Sequence, residues 1–329
     1  MSLEKRLQEI WYGGAPAPLI LRALVPVYRG LRALHRAPYA LGWRQPQRLP
    51  VPVIVVGNIT VGGTGKTPLV IALVEALRER GRRPGVVSRG YGGSAESPIV
   101  LDSSGSAAQC GDEPLLIRQA TGVPVAVGRD RVGAARLLLA ARDGNEPAVD
   151  MIIADDGLQH YPLFRNVEIC VIDGERRFGN GLLLPAGPLR EPLTRLDTLA
   201  FRVCNGGLAQ AGEIPMRLVG DTAVAVSDAT RRPLQDFAGQ RVHAVAGIGN
   251  PARFFALLHA AGIDAIEHAF ADHYPYQLRD LDFGDGLPVL MTEKDAIKCA
   301  AFERADLWQI PVRAELPREF FDTLAREHI

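Results

Sequence analysis

The residues Gly57-Asn-Ile-Thr-Val-Gly-Gly-Thr-Gly-Lys-Thr67 concentrate more potential chemistry than any other stretch of this chain. Glycines at 62, 63 and 65 let backbone N–H groups close on phosphate oxygens without a Cβ in the way, and a helix starting just beyond adds its positive end. Lys66 would reach the β- and γ-phosphates of a nucleotide, and the Thr67 hydroxyl would ligate Mg²⁺. The expected cradle runs through Thr60, Val61, Gly62, Gly63, Thr64, Gly65, Lys66 and Thr67. Thr60 stands where the strict GxxxxGK[ST] pattern has its first glycine, and a turn that merely links strand to helix is the plainer alternative. Lysine is otherwise scarce: Lys5, Lys66, Lys294 and Lys298 are the only ones in an arginine-rich chain.

A second group is acidic. Val149-Asp-Met-Ile-Ile-Ala154 is an apolar strand that runs into Asp155-Asp156, the place where phosphate-loop enzymes hold Mg²⁺ or its water. Asp155 is the natural metal-side acid, and Asp156 is a second candidate, for the ion or for orienting a nucleophile. Two adjacent carboxylates repel unless a cation is near. Arg190 and Glu191, in the long irregular stretch 178–192, suit a phosphate contact and a metal-side ligand; solvated rim residues are the alternative. Arg89 in a glycine-rich loop is either a phosphate contact or part of a plain connection. Taken alone, Asp112 reads best as a helix N-cap, and His160 is either a contributor to the site or, as a lone histidine more often is, structural. His273 falls at a strand end, where it can face a cleft.

These residues need elements to hold them. The apolar run 53–56 reads as a buried strand, and Leu69, Val70, Leu73, Val74 and Leu77 recur at helical spacing up to a stop at Gly81. Strand and helix patterns alternate through 84–88, 115–120, 123–127, 129–142 and 167–173, which predicts an α/β fold with a mostly parallel sheet flanked by helices. Composition changes at 204–212, and a fresh strand-helix-strand unit starts at Arg241. Its turn, Gly247-Ile-Gly-Asn-Pro-Ala252, is a weak match to a dinucleotide fingerprint. Thr292 could cap the helix after it, with Asp295 at capping-box distance. The predicted division is an arm over 1–48, a nucleotide-binding core over 49–210 and a smaller α/β lobe over 211–329. GTPase signatures fail, because Asp295 follows Lys294 directly and Ala154 stands three before Gly157.

A chain of 329 residues, 47% of them hydrophobic, can bury two cores. Net charge is zero, so no bulk field recruits nucleic acid, and none is expected as a partner. Four cysteines with no C-x-x-C spacing argue against a disulfide framework or zinc site and fit a reducing cytosol. No run approaches the ~18 apolar residues of a membrane span, and the start carries no cleavable-signal pattern. Between Glu9 and Glu75 there is no acid, yet six arginines fall there. At ~100° per residue, Arg22, Arg29, Arg32 and Arg36 share one face and Leu24, Val27, Tyr28, Leu31 and Leu34 the other, with Trp11, Tyr12, Tyr39 and Trp43 on the flanks. The reading is an amphipathic helix that meets an anionic membrane surface, with Pro16, Pro18 and Pro26 limiting its straight run. No obligate protein partner is inferred.

Several stretches resemble the tetraacyldisaccharide 4'-kinases, the lipid A 4'-kinases of Gram-negative bacteria: 56–68, Ser88-Arg-Gly-Tyr-Gly92, Gly111-Asp-Glu-Pro114, Asp155-Asp-Gly-Leu-Gln-His160, Gly187-Pro-Leu-Arg-Glu191, Gly247-Ile-Gly-Asn-Pro251, Asp272-His273 and Thr292-Glu-Lys-Asp295. Thr60 also matches that pattern. The resemblance implies ATP- and Mg²⁺-dependent phosphorylation of the 4'-hydroxyl of an acylated disaccharide 1-phosphate, by a peripheral protein at the cytoplasmic face of the inner membrane. It also implies that Asp112 is the base acting on the sugar hydroxyl, paired with His273, while Lys66, Mg²⁺ and Arg190 neutralise charge. The competing class is a membrane-associated nucleotide-binding regulator or NTPase with no lipid substrate.

Overall fold

The computed structural model describes residues 3–94, 97–101, 107–143 and 146–328. Val53–Gly57 lies in the middle of a nine-stranded sheet. On one side it pairs in parallel with Met151–Ala154, followed by Pro84–Ser88 and Val125–Val127. On the other side come Val167–Asp173, Phe201–Asn205 and Ile214–Val219, also parallel. Short antiparallel strands, Ile99–Val100 and Arg313–Glu315, close the two edges.

Successive strand side chains face opposite ways. Ile54 and Val56 join Leu69, Leu73 and Leu77 of the helix Lys66–Glu79 in one core, while Val53 and Val55 join Leu138 and Leu158 in another. Both faces are covered, which is why the strand reads as an unbroken apolar run. The parallel strands end on one side of the sheet, and the phosphate loop, Asp155 and Asp173 all lie at such ends.

A second, six-stranded sheet runs Arg231–Pro233, Thr222–Ala225, Leu307–Ile310, Val289–Thr292, Arg241–Ala246, Asp264–Ala269. Its last four strands are parallel, with Pro251–Ala260 as a crossover helix. The sheets divide the chain differently from the expected 210/211 boundary. Ile214–Val219 and Arg313–Glu315 belong to the first sheet, and Phe320 and Leu324 of the final helix, Arg318–His328, enter its core. The glycine-rich stretch 204–212 is thus a connection inside one sheet.

The arm is the helix Leu19–Ala40, which passes through Pro26 and Pro38 without ending. It has three faces rather than two. Leu21, Val25, Tyr28, Arg32 and Tyr39 are half-buried against the body, Arg22, Arg29 and Arg36 form a solvated basic face, and Ile20, Leu24, Val27, Leu31 and Leu34 form an exposed apolar face. Tyr28 and Arg32 therefore leave the faces expected of them, because the helix must also dock. Trp11 is buried and donates from Nε1 to the Pro185 carbonyl at 3.1 Å, so of the flanking rings Trp43 is the one fully exposed.

Candidate active site

The phosphate loop is shaped by glycine conformation and by a neighbouring strand. Gly65 caps the helix Lys66–Glu79 with φ 95°, and a Cβ there would lie 2.2 Å from Asn205 Nδ2. That amide donates to the Thr64 carbonyl at 2.9 Å and supports the loop from below. The segment 188–190 runs alongside: Val61 N–H donates to the Pro188 carbonyl at 2.8 Å and Arg190 N–H to the Ile59 carbonyl at 2.7 Å. Arg190 is thereby placed next to Asp156.

Asp156 collects the cations of this half of the site. Lys66 Nζ is 3.6 Å from its carboxylate, and Arg190 Nη1 donates to both oxygens at 3.2 Å. Burial would raise this carboxyl, but Lys66, Arg190 and Arg131 hold it well below the usual carboxylate range. Its backbone has φ 48°, a conformation that costs free energy and aims the side chain out of the strand line. Asp155 points inward instead. It is fully buried, Ser88 Oγ donates to its Oδ2 at 3.4 Å, and its Oδ1 has no partner among the described residues. Burial, reinforced by Glu113 and Asp156, raises this carboxyl despite Lys66 and Arg131.

Across the cleft, His273 Nδ1 lies 3.0 Å from Asp112 Oδ2. Asp112 is the first residue of the helix Asp112–Thr121, whose cap is Gly111 at φ 85°, so its side chain is not spent on capping. Lys294 Nζ sits 3.4 Å from His273 Nε2 and 3.2 Å from both Glu113 and Asp272. An ammonium can only donate, so this contact assigns the imidazole proton to Nδ1, directed at Asp112. Burial pushes Asp112 up, but the hydrogen bond from His273 and the charges of Lys298 and Lys294 leave it below its ordinary value. His273, like Asp156, has a left-handed backbone, φ 60°.

Thr292 and Asp295 hold this side together. The Thr292 hydroxyl caps the helix by accepting from Asp295 N–H, as expected, and donates to the Asp295 carboxylate at 2.6 Å in place of the reciprocal capping-box bond from Thr292 N–H. Gly247 N–H and Lys298 also contact that buried carboxylate, each at 2.9 Å. The turn 247–252 is no nucleotide fingerprint here; Gly249 lies against Gly63, and a Cβ on it would come within 2.4 Å of Gly63 N. Arg176 bridges the pair, donating to the Gly63 and Gly249 carbonyls at 2.9 Å each and to Asp173 at 2.9 Å.

Both halves open into one cleft of about 1370 Å³, lined by the loop from Val61 to Thr67, by Asp156 and Arg190, and by Asp272, His273 and Lys294. A family model described as tetraacyldisaccharide-1-P 4'-kinase matches residues 17–328. The chain belongs to this family. A relative from Stenotrophomonas maltophilia named tetraacyldisaccharide 4'-kinase is 54% identical, over 95% of this chain and 94% of that protein. One of the same name from Xanthomonas euvesicatoria is 52% identical, over 95% and 93%. A crystal structure described as the "apo" form of LpxK from Aquifex aeolicus in complex with ATP superposes with a TM-score of 0.76 at 27% identity, covering 94% of this chain and all of that one.

In this member of the family, Lys66 and Arg190 meet Asp156 directly, Asp112 meets His273, and Asp155 is buried outside the cleft lining. Glu191 parts from the metal-side place expected of it. Its carboxylate is fully buried among Arg32, Arg195 and Gln159, outside the cleft lining. His160 lies outside the cleft lining, its imidazole pushed down to about 4 by burial and by Arg131 and Arg165. Sequence reasoning did not assign roles to Lys294, Lys298, Asp173 or Arg176. The rarity of lysine was a usable signal, since three of the four stand at this site.

Proposed function

We propose that the chain transfers the γ-phosphate of ATP to the 4'-hydroxyl of a tetraacyldisaccharide 1-phosphate. The observation that carries this reading is the opening of two constellations into one cleft: a cationic phosphate cradle, and across from it His273, which is hydrogen-bonded to Asp112 just outside the cleft lining. The residues from Thr60 to Thr67 hold the phosphates, Lys66 and Arg190 neutralise the charge that develops on transfer, and Asp156 aligns those two cations. Asp112, with 11% of its side chain exposed, takes the hydroxyl proton as the oxygen attacks phosphorus and ADP departs. His273 fixes the orientation of that carboxylate.

The residues also suit Mg²⁺. The Thr67 hydroxyl and the unpartnered Asp155 Oδ1 are oxygen donors beside the cradle, and Mg²⁺ ordinarily takes one or two protein oxygens together with phosphates and water. Among the described residues no cluster of three His, Cys, Asp or Glu could hold a metal. Bound there, Mg²⁺ supplies charge neutralisation at the transferred phosphate. Glu191 serves this site from behind.

The exposed apolar face of the arm, flanked by Arg22, Arg29 and Arg36, seats the protein on an anionic bilayer, as a peripheral protein at the cytoplasmic face of the inner membrane. Among the described residues no helix is long and apolar enough to cross a membrane. The deciding experiment is transfer of ³²P from γ-labelled ATP to purified tetraacyldisaccharide 1-phosphate in detergent micelles. Labelled lipid product is the expected outcome; lipid-independent ATP hydrolysis with no labelled lipid would refute the reading.

A further inference from the structure

The arm is fastened to the segment that carries Arg190. The Tyr28 hydroxyl donates to the Arg190 carbonyl at 3.0 Å, and Arg32 Nη1 reaches Glu191 Oε2 at 3.4 Å. Glu191 is a hub: Gln159 Nε2 donates to its Oε1 at 2.8 Å, Arg195 Nε is 3.6 Å from Oε2, and the Tyr161 hydroxyl is 3.5 Å away. The same Gln159 amide donates to the Asn58 carbonyl at 3.1 Å, four residues before the first loop glycine at 62. His35 and Tyr39 of the arm pack on the Tyr161 ring, with centroids 5.6 and 6.0 Å away. A buried carboxylate depends on its cations, and removing one leaves charge uncompensated.

On the kinase reading above, we propose that Tyr28 and Arg32 are positioning residues through which the docked arm holds Arg190 against Asp156. Glu191 and Arg190 are consecutive in a segment laid along the phosphate loop, the first turned to the arm and the second to the cleft. A shift of the arm therefore moves both. Seating of the apolar face on a bilayer and competence for transfer become linked through this contact.

The test uses the full chain in detergent micelles, where membrane attachment no longer limits encounter. Arg32→Met is expected to lower kcat by roughly 10- to 100-fold, the upper figure being the cost of a ~1 Å misplacement of a catalytic group, with the KM for ATP and sedimentation with phosphatidylglycerol vesicles unchanged. Tyr28→Phe should have a smaller effect of the same kind, and Arg32→Lys should restore part of the loss. Added to Arg190→Ala, Arg32→Met should cost nothing further, because it acts through Arg190. Unchanged kcat in Arg32→Met, or fully additive losses in the double variant, overturns the proposal. Should Arg32→Met fail to fold, Tyr28→Phe carries the same outcomes with one oxygen removed. A wild-type chain that transfers no phosphate fails at the kinase reading instead.

Discussion

Replacing Arg176 by methionine isolates the tie between the phosphate loop and the second sheet. The guanidinium spans both: one nitrogen donates to the Gly63 carbonyl, another to the Gly249 carbonyl, and a third to Asp173, all at 2.9 Å. Hydrogen bonds from a charged donor contribute about 1.5–3 kcal/mol each. Those values already include the water that the two carbonyls regain, so the pair is worth roughly 3–6 kcal/mol. Asp173 is not stranded, since Arg253 Nη2 still donates to it at 2.9 Å. If about 2 kcal/mol of that cost falls on ordering the loop around nucleotide, the Kd for ATP rises about 30-fold. Lysine should recover little, because one ammonium cannot reproduce the planar fork that serves two carbonyls and a carboxylate. Titration calorimetry with a non-hydrolysable ATP analogue reads the effect directly. Unchanged affinity in Arg176→Met, or full recovery in Arg176→Lys, would refute the claim that the fork preorganises the loop.

Asp112→Asn keeps an acceptor for His273, and Lys298 retains Asp295 at 2.9 Å, so the fold should survive while kcat falls about 10²–10⁴-fold with ATP affinity unchanged. The fold lowers the pKa of Asp112, so the base is ionised from that lowered value upward. Its contribution to both rate and stability is present above the ordinary aspartate pKa of about 4 and lost as pH falls through the lowered one. A pH-rate profile should lose that acidic limb in the asparagine variant; retention of most of the activity would remove Asp112 from its role. Gly65→Ala places a methyl on a residue with φ 95° and against Asn205, so ATP binding should vanish from a chain that still melts cooperatively. Leu31→Gln with Leu34→Gln removes two exposed leucines, each worth about 1.5–3 kcal/mol when buried, so vesicle partitioning should drop at least tenfold. Equal sedimentation of the variant and the parent chain would exclude the apolar face as the membrane contact.

The large sheet was legible because its strands are covered on both faces and read as unbroken apolar runs, and the phosphate loop because its glycines answer local backbone demands. The pairing of Asp112 with His273 was not legible from the residues themselves. They are 161 positions apart, and what joins them is the docking of one sheet's turns against the other's, a tertiary event with no local pattern; family resemblance supplied it. The division at 210/211 missed for a related reason. A glycine-rich stretch marks a turn, and only strand pairing decides whether the turn leaves a sheet or stays within it.

Neighbouring charges were the hardest to place, and the reason is geometric. Asp155 and Asp156, or Arg190 and Glu191, read in sequence as pairs sharing one task. Both pairs lie in a turn or a bend just past a strand or bridge, and Asp156 has φ 48°, so the backbone changes direction between the two residues and adjacency along the sequence does not mean proximity of the side chains. Asp155 turns into the sheet end, buried with one oxygen unpartnered, while Asp156 faces Lys66 and Arg190. Arg190 enters the cleft, while Glu191 is buried against Arg32 and Arg195. Each pair therefore joins the cleft to what stands behind it: Asp155 to a site that suits a cation, Glu191 to the arm. A mutation of the hidden member should then act on the exposed one, so that Glu191→Gln lowers kcat through Arg190 while nucleotide affinity holds.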